Sequence, residues 1–253
     1  DHDDGEKTFL GETGRVNGED IIKIIARHPA TPSFICKRLF QFFVADEVDE
    51  EGEQVIKAMG EAYFDSGYEI RSVLRTLFNS DYFKSDTARF ARVKAPVEHV
   101  VGAARFAGGY GVPTLGIYDV ALQCYYSGQG LLVPPSVEGW HEGSEWIDSG
   151  ALVERVNFVA HELGDVNRPG VQSIIESLAA QNGGKMSPGE LVDRCLDALG
   201  ATEVSEETHA SLTDHVARRG VLDLKEHRRG DESEERVAET LSLIASTREF
   251  QLA

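Results

Sequence analysis

Apolar residues recur every three or four positions along most of this chain, the spacing that gives an α-helix one buried face. Segment 149–163 shows it clearly, with apolar residues four, three and four positions apart: Leu152, Val156, Val159 and Leu163. Helix-start signals reinforce the pattern, such as the capping box formed by Ser187 and Glu190. The sequence therefore predicts about eleven helices packed as layers or a bundle, an all-α fold with little or no sheet.

Two parts of the chain depart from helical spacing. The segment "KTFLGE" near the start predicts a short hairpin, and a long loop with both tryptophans interrupts the helices in the middle of the chain. Further on, "GDVNRPG" and "QNGGKMSPGE" have the composition of linkers. We therefore predict a helical core region at 1–163, which carries the motifs described below, and a C-terminal helical subdomain at 164–253 packed on it.

The charge of the chain excludes some classes of partner. The formal net charge is −18, from 25 Lys and Arg against 43 Asp and Glu, whereas nucleic-acid binding needs clustered positive charge. No apolar run is long enough to span a bilayer, so we expect no membrane insertion. The chain has no signal peptide and begins with Asp instead of Met, and we expect it to be part of a longer protein.

The first residues, "DHDDGEK", concentrate carboxylates and an imidazole. His2, Asp3 and Asp4 are candidate ligands for a divalent metal ion, and His2 and Asp3 are also candidates for acid and base catalysis. The alternative is a polar turn in which aspartate side chains accept hydrogen bonds from backbone N–H groups.

Four further residues offer polar chemistry on helices or at a helix start. Lys37 lies in a helix rich in aromatic residues, where it either extends to solvent or lines an anion-binding pocket. In "KAPVEH", Lys94 and Glu98 flank a helix start, where an ion pair or an interaction with the helix dipole explains both. His99 is a candidate base or ligand, with a surface or core histidine as the alternative.

The stretch "LLVPPSVEGWHEGSEWI" at 131–147 is the tryptophan-containing loop. Its two prolines favour extended backbone and its glycines allow tight turns, so Trp140 and Trp146 are expected on an ordered loop. Paired aromatic rings stack on sugars or proline-rich peptides, and His141 adds a polar group beside them. The alternative is that both indoles pack into the core.

Familiar catalytic motifs are missing from the sequence. It contains no GxSxG nucleophile elbow, no HExxH zinc motif, no P-loop and no GxGxxG with strand signals. The commonest lipase, metalloprotease, ATPase and dehydrogenase classes are therefore excluded.

Several long segments together resemble one bacterial family, domain of unknown function 1800, and specifically the C-terminal half of its members. The segments that carry the resemblance are "HDDGEKTFLG", "HPATPSFICKRLFQFFV", "VKAPVEHVVGAAR", "GQGLLVPPSVEGWHEGSEWIDSGALVERVNF" and "VAETLSLIASTREFQLA". Residues 201–232 match least distinctly. The family pattern falls on many of the candidates above and adds Lys7 and Gln129 to them.

The resemblance implies export to the periplasm or cell surface, and a sulfatase-like protein as a partner. It also implies that the turn around His2 and the loop around Trp140 meet at one site. The candidate ligand-binding residues are then Lys7, Lys37, Lys94, Gln129, Trp140, His141 and Trp146.

Three hypotheses for function follow. The favoured one is a non-catalytic binding or accessory module that engages a polysaccharide or a sulfatase-like partner through the Trp140 loop. The second is a metal-assisted hydrolase of a sugar or ester, with His2, Asp3 and Asp4 near a divalent metal, Glu98 or His99 as base, and Lys37 or Lys94 holding an anion. The third is a purely structural scaffold, which predicts that both tryptophans are buried.

Overall fold

A computed structural model describes residues 3–113, 115–200, 203–225 and 227–253. The all-α prediction is confirmed, since these residues form eleven α-helices and only two small two-stranded sheets. The helices are α1 (Gly18–Arg27), α2 (Ala30–Phe43), α3 (Glu50–Asp65), α4 (Ile70–Asn79), α5 (Pro96–Ala107), α6 (Ile117–Tyr126), α7 (Ser149–Gly164), α8 (Pro169–Ala179), α9 (Pro188–Ala198), α10 (Glu206–Ala217) and α11 (Glu232–Ala245). Short 3-10 turns occupy Tyr82–Lys84, Asp86–Ala88, Gly143–Trp146, Asn182–Gly184 and Glu249–Gln251.

Local sequence sets where several helices begin. The predicted capping box is present, because the Ser187 hydroxyl accepts from the Glu190 N–H and the Glu190 carboxylate accepts from the Ser187 N–H. Asn17 and Asp20 form the same reciprocal pair at the start of α1. In α5, Pro96 takes the first helical position, where its missing N–H leaves no hydrogen bond unmade.

The chain divides into two compact units, Asp1–Arg92 and Val93–Ala253. In the first unit, the predicted hairpin forms between β1 (Lys7–Phe9) and β2 (Glu12–Gly14), and α2, α3 and α4 pack around a core that includes Phe40. The second unit holds α5 to α11 and a small sheet of β3 (Lys185–Met186) with β4 (Leu222–Asp223).

The second unit has one continuous apolar core, to which α5, α7, α8, α9 and α11 contribute. Its most extensive helix pair is α7 with α11. The boundary that the sequence predicted between 163 and 164 lies in the last turn of α7, the helix that packs on α11. The division into a core region and a C-terminal subdomain at this point stays a prediction.

Helix α7 buries a different face from the one that apolar spacing predicted. Val159 and Leu163 are buried as expected, but Leu152 and Val156 are only half-buried. The buried face instead carries two charged residues: Arg155 and Glu162. Charged groups are almost never fully buried unless they are paired, so each needs its own set of partners.

Gly170 and Gly189 each follow the proline at the first position of their helix. Substitution by alanine is expected to have opposite effects on stability at the two positions. A Cβ on Gly170 of α8 would stand 1.7 Å from the Phe106 carbonyl oxygen, whereas a Cβ on Gly189 of α9 meets nothing within 4 Å. We expect Gly170→Ala to lower the free energy of unfolding by about 1–3 kcal/mol through the backbone clash. We expect Gly189→Ala to raise it by about 0.4–1 kcal/mol. Urea denaturation measures both, and equal effects of the two substitutions would contradict the close contact of α8 with α5.

Candidate functional site

The acidic turn at the start of the chain is held by its own side chains. Asp3 Oδ1 accepts from the Gly5 N–H at 2.8 Å, and Lys7 Nζ donates to the backbone carbonyl oxygens of Asp3 and Gly5. The Gly5 N–H, followed by the charge of Lys7, lowers the pKa of the Asp3 carboxyl. Asp3 and Lys7 therefore stabilise the turn locally, as in the polar-turn alternative.

The predicted metal site depends on His2, which lies outside the described residues. Within the described ranges, no three His, Cys, Asp or Glu side chains form a group that could hold a metal ion. The site of His2, Asp3 and Asp4 stays a prediction. Lys37 has an exposed side chain on α2 of the same unit.

In the second unit, Lys94 belongs to a buried polar cluster that joins α5 and α7 to the end of the chain. The cluster, here the Lys94 cluster, consists of Lys94, His99, Arg155, Phe250 and Gln251. Lys94 Nζ donates to the Phe250 carbonyl oxygen at 2.8 Å and lies 4.4 Å from the centre of its ring. Burial, followed by the charge of Arg155, lowers the Lys94 pKa to about 8.

Arg155 is the centre of the Lys94 cluster. Its side chain is fully buried, with Nε donating to Gln251 Oε1 and Nη2 to the Lys94 carbonyl oxygen, both at 2.9 Å. Its Nη1 is buried with no hydrogen-bond partner in the part of the chain that the structure describes. Burial lowers the Arg155 pKa to about 10.

Glu98 and His99 occupy structural positions on α5. Glu98 Oε2 accepts from the Ala95 N–H at 2.8 Å and so caps the helix. His99 is 1% exposed, and its Nε2 lies 3.3 Å from the Arg155 carbonyl oxygen. Burial, followed by the charge of Arg155, lowers the His99 pKa to about 3. His99 is therefore neutral near pH 7, with its Nε2 proton donated to that carbonyl.

The loop between α6 and α7, residues 127–148, is here called the Trp loop. Gln129 is buried at its start and accepts from the Val97 N–H at 2.9 Å, which satisfies a free donor at the start of α5. Trp146 is 5% exposed and packs beside Gly128, whereas Trp140 is half-buried. The indoles and Gln129 thus hold the loop in place.

Two tight turns form the outer part of the Trp loop. The Val133 N–H donates to the Gly130 carbonyl oxygen at 3.0 Å, and the Gly139 N–H donates to the Ser136 carbonyl oxygen at 3.3 Å. Trp140 Nε1 donates to the Gly130 carbonyl oxygen at 3.2 Å, which ties the second turn to the first. The ordered loop expected from the sequence is present.

His141 sits on the outside of the Trp loop. Its Nδ1 lies 2.9 Å from Glu145 Oε2, and its ring meets the Trp146 ring edge-to-face at a centroid distance of 6.2 Å. The imidazole is exposed but already engaged by its neighbours.

Aliphatic side chains are the most exposed apolar groups of the Trp loop. Leu132 is 93% exposed and Val137 106% exposed, each at a turn tip. They belong to an exposed set, here the Leu132 surface, made of Tyr125, Tyr126, Leu131, Leu132, Val133 and Val137. This surface was not predicted from the sequence, although three consecutive apolar residues without helical spacing, Leu131, Leu132 and Val133, were a signal for it.

Leu132 also has an unusual backbone conformation. It is the third residue of the Gly130–Val133 turn and has a φ of +64°, while Leu131 is not among the positive-φ residues. A type II turn requires this geometry and usually places Gly or Asn there. A leucine in that region costs roughly 1–2 kcal/mol, so the turn holds an exposed apolar side chain at the expense of stability.

The acidic turn and the Trp loop fall in different units of the chain. The expectation that they meet at one site stays a prediction. Within the described residues, no helix is both long and apolar enough to cross a membrane.

Comparison with known proteins gave one match. A family model described as "Protein of unknown function (DUF1800)" matches residues 1–252. No curated protein and no solved structure matched the chain.

Proposed function

The chain belongs to the DUF1800 family of proteins of unknown function, and from this premise we propose that it is a non-catalytic binding module that holds a protein partner on its Trp loop. The observation that carries the proposal is the Leu132 surface, an exposed apolar set on the Trp loop and on the end of α6 before it. The loop is fixed by its own hydrogen bonds and by two indoles. Such surfaces on a protein otherwise rich in charge mark interaction sites.

The charge around this surface indicates the chemistry of the partner. Residues 106–154 contain no Lys or Arg, but they contain six acidic residues: Asp119, Glu138, Glu142, Glu145, Asp148 and Glu154. A partner with an apolar groove and a basic rim complements this arrangement. A sulfatase-like protein is the partner class that the family resemblance implies, and export to the cell envelope is implied in the same way.

The other hypotheses have less support. A polysaccharide would stack on exposed aromatic rings, but Trp146 is buried, and the most exposed side chains of the Leu132 surface are a leucine and a valine, which offer no ring. Tyr125 and Tyr126 are the exposed rings that this hypothesis would use. A hydrolase would need its base within reach of a substrate, but His99 is buried, and its pKa of about 3 makes it a weak base. A purely structural role gives no reason for the strained, exposed Leu132.

The substitution Leu132→Asn separates binding from folding. Asparagine tolerates positive φ, so we expect the free energy of unfolding to rise by about 0.5–1 kcal/mol. Affinity for a purified sulfatase-like protein from the same organism should fall more than about tenfold, because the apolar contact is lost. Biolayer interferometry measures the affinity and urea denaturation the stability.

Ile22→Asn is the matched control, because Ile22 is an exposed aliphatic residue on α1 of the first unit. It should leave the affinity unchanged. Equal losses in both variants would contradict the placement of the binding surface, and the absence of any binding would remove the sulfatase-like class. Binding of a soluble polysaccharide that Tyr125→Ala abolishes and Leu132→Asn preserves would support the polysaccharide hypothesis instead.

A further inference from the structure

A small cleft at the end of α10 is lined by positive groups in a strongly acidic chain. Its volume is about 190 Å³, and three arginines, Arg218, Arg219 and Arg236, line it together with His215 and Glu239. Three guanidinium groups therefore face one carboxylate, while the chain as a whole carries a net charge of −18. Guanidinium groups that lie close together repel one another, and a bound anion offsets that local repulsion.

The carboxylate of the cleft is already engaged. Glu239 Oε2 lies 3.1 Å from Arg219 Nη1, and Glu239 Oε1 lies 3.1 Å from His215 Nε2. Glu239 can neutralise only one of the three arginines, and the Glu232 carboxylate outside the lining acts on Arg236 as well, so two carboxylates balance three guanidinium groups. The cleft therefore keeps an excess of positive charge.

Hydrogen bonds to the end of α10 explain why Arg236 is in the cleft, but they do not explain Arg218. Arg236 Nη2 donates to the Gly220 carbonyl oxygen at 2.7 Å and Nη1 to the Val221 carbonyl oxygen at 3.3 Å, just after the helix ends. Burial, followed by the charge of Arg219, lowers the Arg236 pKa. The side chain of Arg218 has no hydrogen bond or ion pair among the described residues.

We propose that this cleft binds a tetrahedral oxyanion, a phosphate or sulfate group, through Arg218, Arg219 and Arg236. A guanidinium presents paired N–H donors whose spacing matches two oxygens of such a group. The cleft is large enough for an ion of this size, because its volume is several times the roughly 30 Å³ that one water molecule occupies in the liquid. This site lies on α10 and α11 and is separate in sequence from the Leu132 surface, so it does not depend on the proposed function.

Isothermal titration calorimetry with inorganic phosphate and with sulfate, at constant ionic strength set with sodium chloride, tests the site. We expect saturable binding to the wild-type chain. Arg218→Gln should weaken it about tenfold or more, because a charge-assisted hydrogen bond is lost. Glu239→Gln should tighten it several-fold, because the competing carboxylate is removed.

Arg71→Gln is the control, since it makes the same charge change at an exposed arginine on α4 of the first unit. It should leave the affinity unchanged. Binding of phosphate alone assigns the site to phosphate groups, and equal binding of both anions assigns it to tetrahedral dianions in general. The proposal is overturned if neither anion gives saturable heat, or if Arg218→Gln and Glu239→Gln shift the affinity no more than Arg71→Gln.

Discussion

Replacing Arg155 with alanine is expected to lower the free energy of unfolding by roughly 3–5 kcal/mol. The substitution leaves a cavity at a fully buried position. It also removes the donors that now pair with Gln251 Oε1 and the Lys94 carbonyl oxygen, and both acceptors stay buried. Urea denaturation should show a lower midpoint with an unchanged slope.

Two further variants identify the cause of this loss. Arg155→Met keeps most of the volume but not the donors, so we expect a smaller loss of about 1–3 kcal/mol. Arg71→Ala, at an exposed position on α4, should change stability by no more than about 0.5 kcal/mol. A loss below about 1 kcal/mol for Arg155→Ala would mean that the Lys94 cluster does not hold the chain end against α7.

Acidification from pH 6.5 to pH 4.5 is expected to remove about 2–3 kcal/mol of stability through His99 alone. Its pKa is about 3 in the folded protein and 6.5 as the ordinary value. Between these two pKa values the imidazole is protonated in the unfolded chain but neutral in the folded chain, because in the folded chain it is buried beside Arg155. The stability is therefore fully present above pH 6.5 and is lost as the pH falls toward 3.

His99→Gln isolates this contribution, because glutamine keeps an N–H donor for the Arg155 carbonyl oxygen but does not titrate. The slope of unfolding free energy against pH should be about 1.4 kcal/mol per unit smaller in the variant between pH 6 and pH 4.5. Carboxylates with lowered pKa, such as Asp165 and Glu249, titrate lower and are common to both proteins. Identical slopes would show that His99 is accessible to protons in the folded state.

Much of the secondary structure was predictable because its determinants are local. Helical spacing and the cap residues, such as Asn17 and Ser187, are satisfied within one turn of the helix that they start. The hairpin at Lys7–Phe9 followed from a short local pattern as well. The second sheet was missed because its strands, Lys185–Met186 and Leu222–Asp223, are two residues each and far apart in sequence.

The candidate site was predicted less completely. The Trp loop was identified, and its tryptophans were candidates either for ligand contact or for packing into the core. In the structure Trp146 is buried and Trp140 donates to the Gly130 carbonyl oxygen. Residue type alone does not tell whether an indole faces solvent or the core. Leu132 and Val137 are exposed because each lies in a tight turn of the loop, and these turns were not predicted from the sequence.

The sequence by itself determined the helical class, the helix start at Ser187 and the acidic character of this protein, since each follows from local spacing or composition. Only the tertiary structure decided that Arg155 is buried, that His99 is neutral, and that three arginines share a cleft with Glu239. Burial and pairing depend on residues far apart in the chain, such as Arg155 and Gln251. Long-range contacts of this kind form only when the helices pack, so no local pattern encodes them.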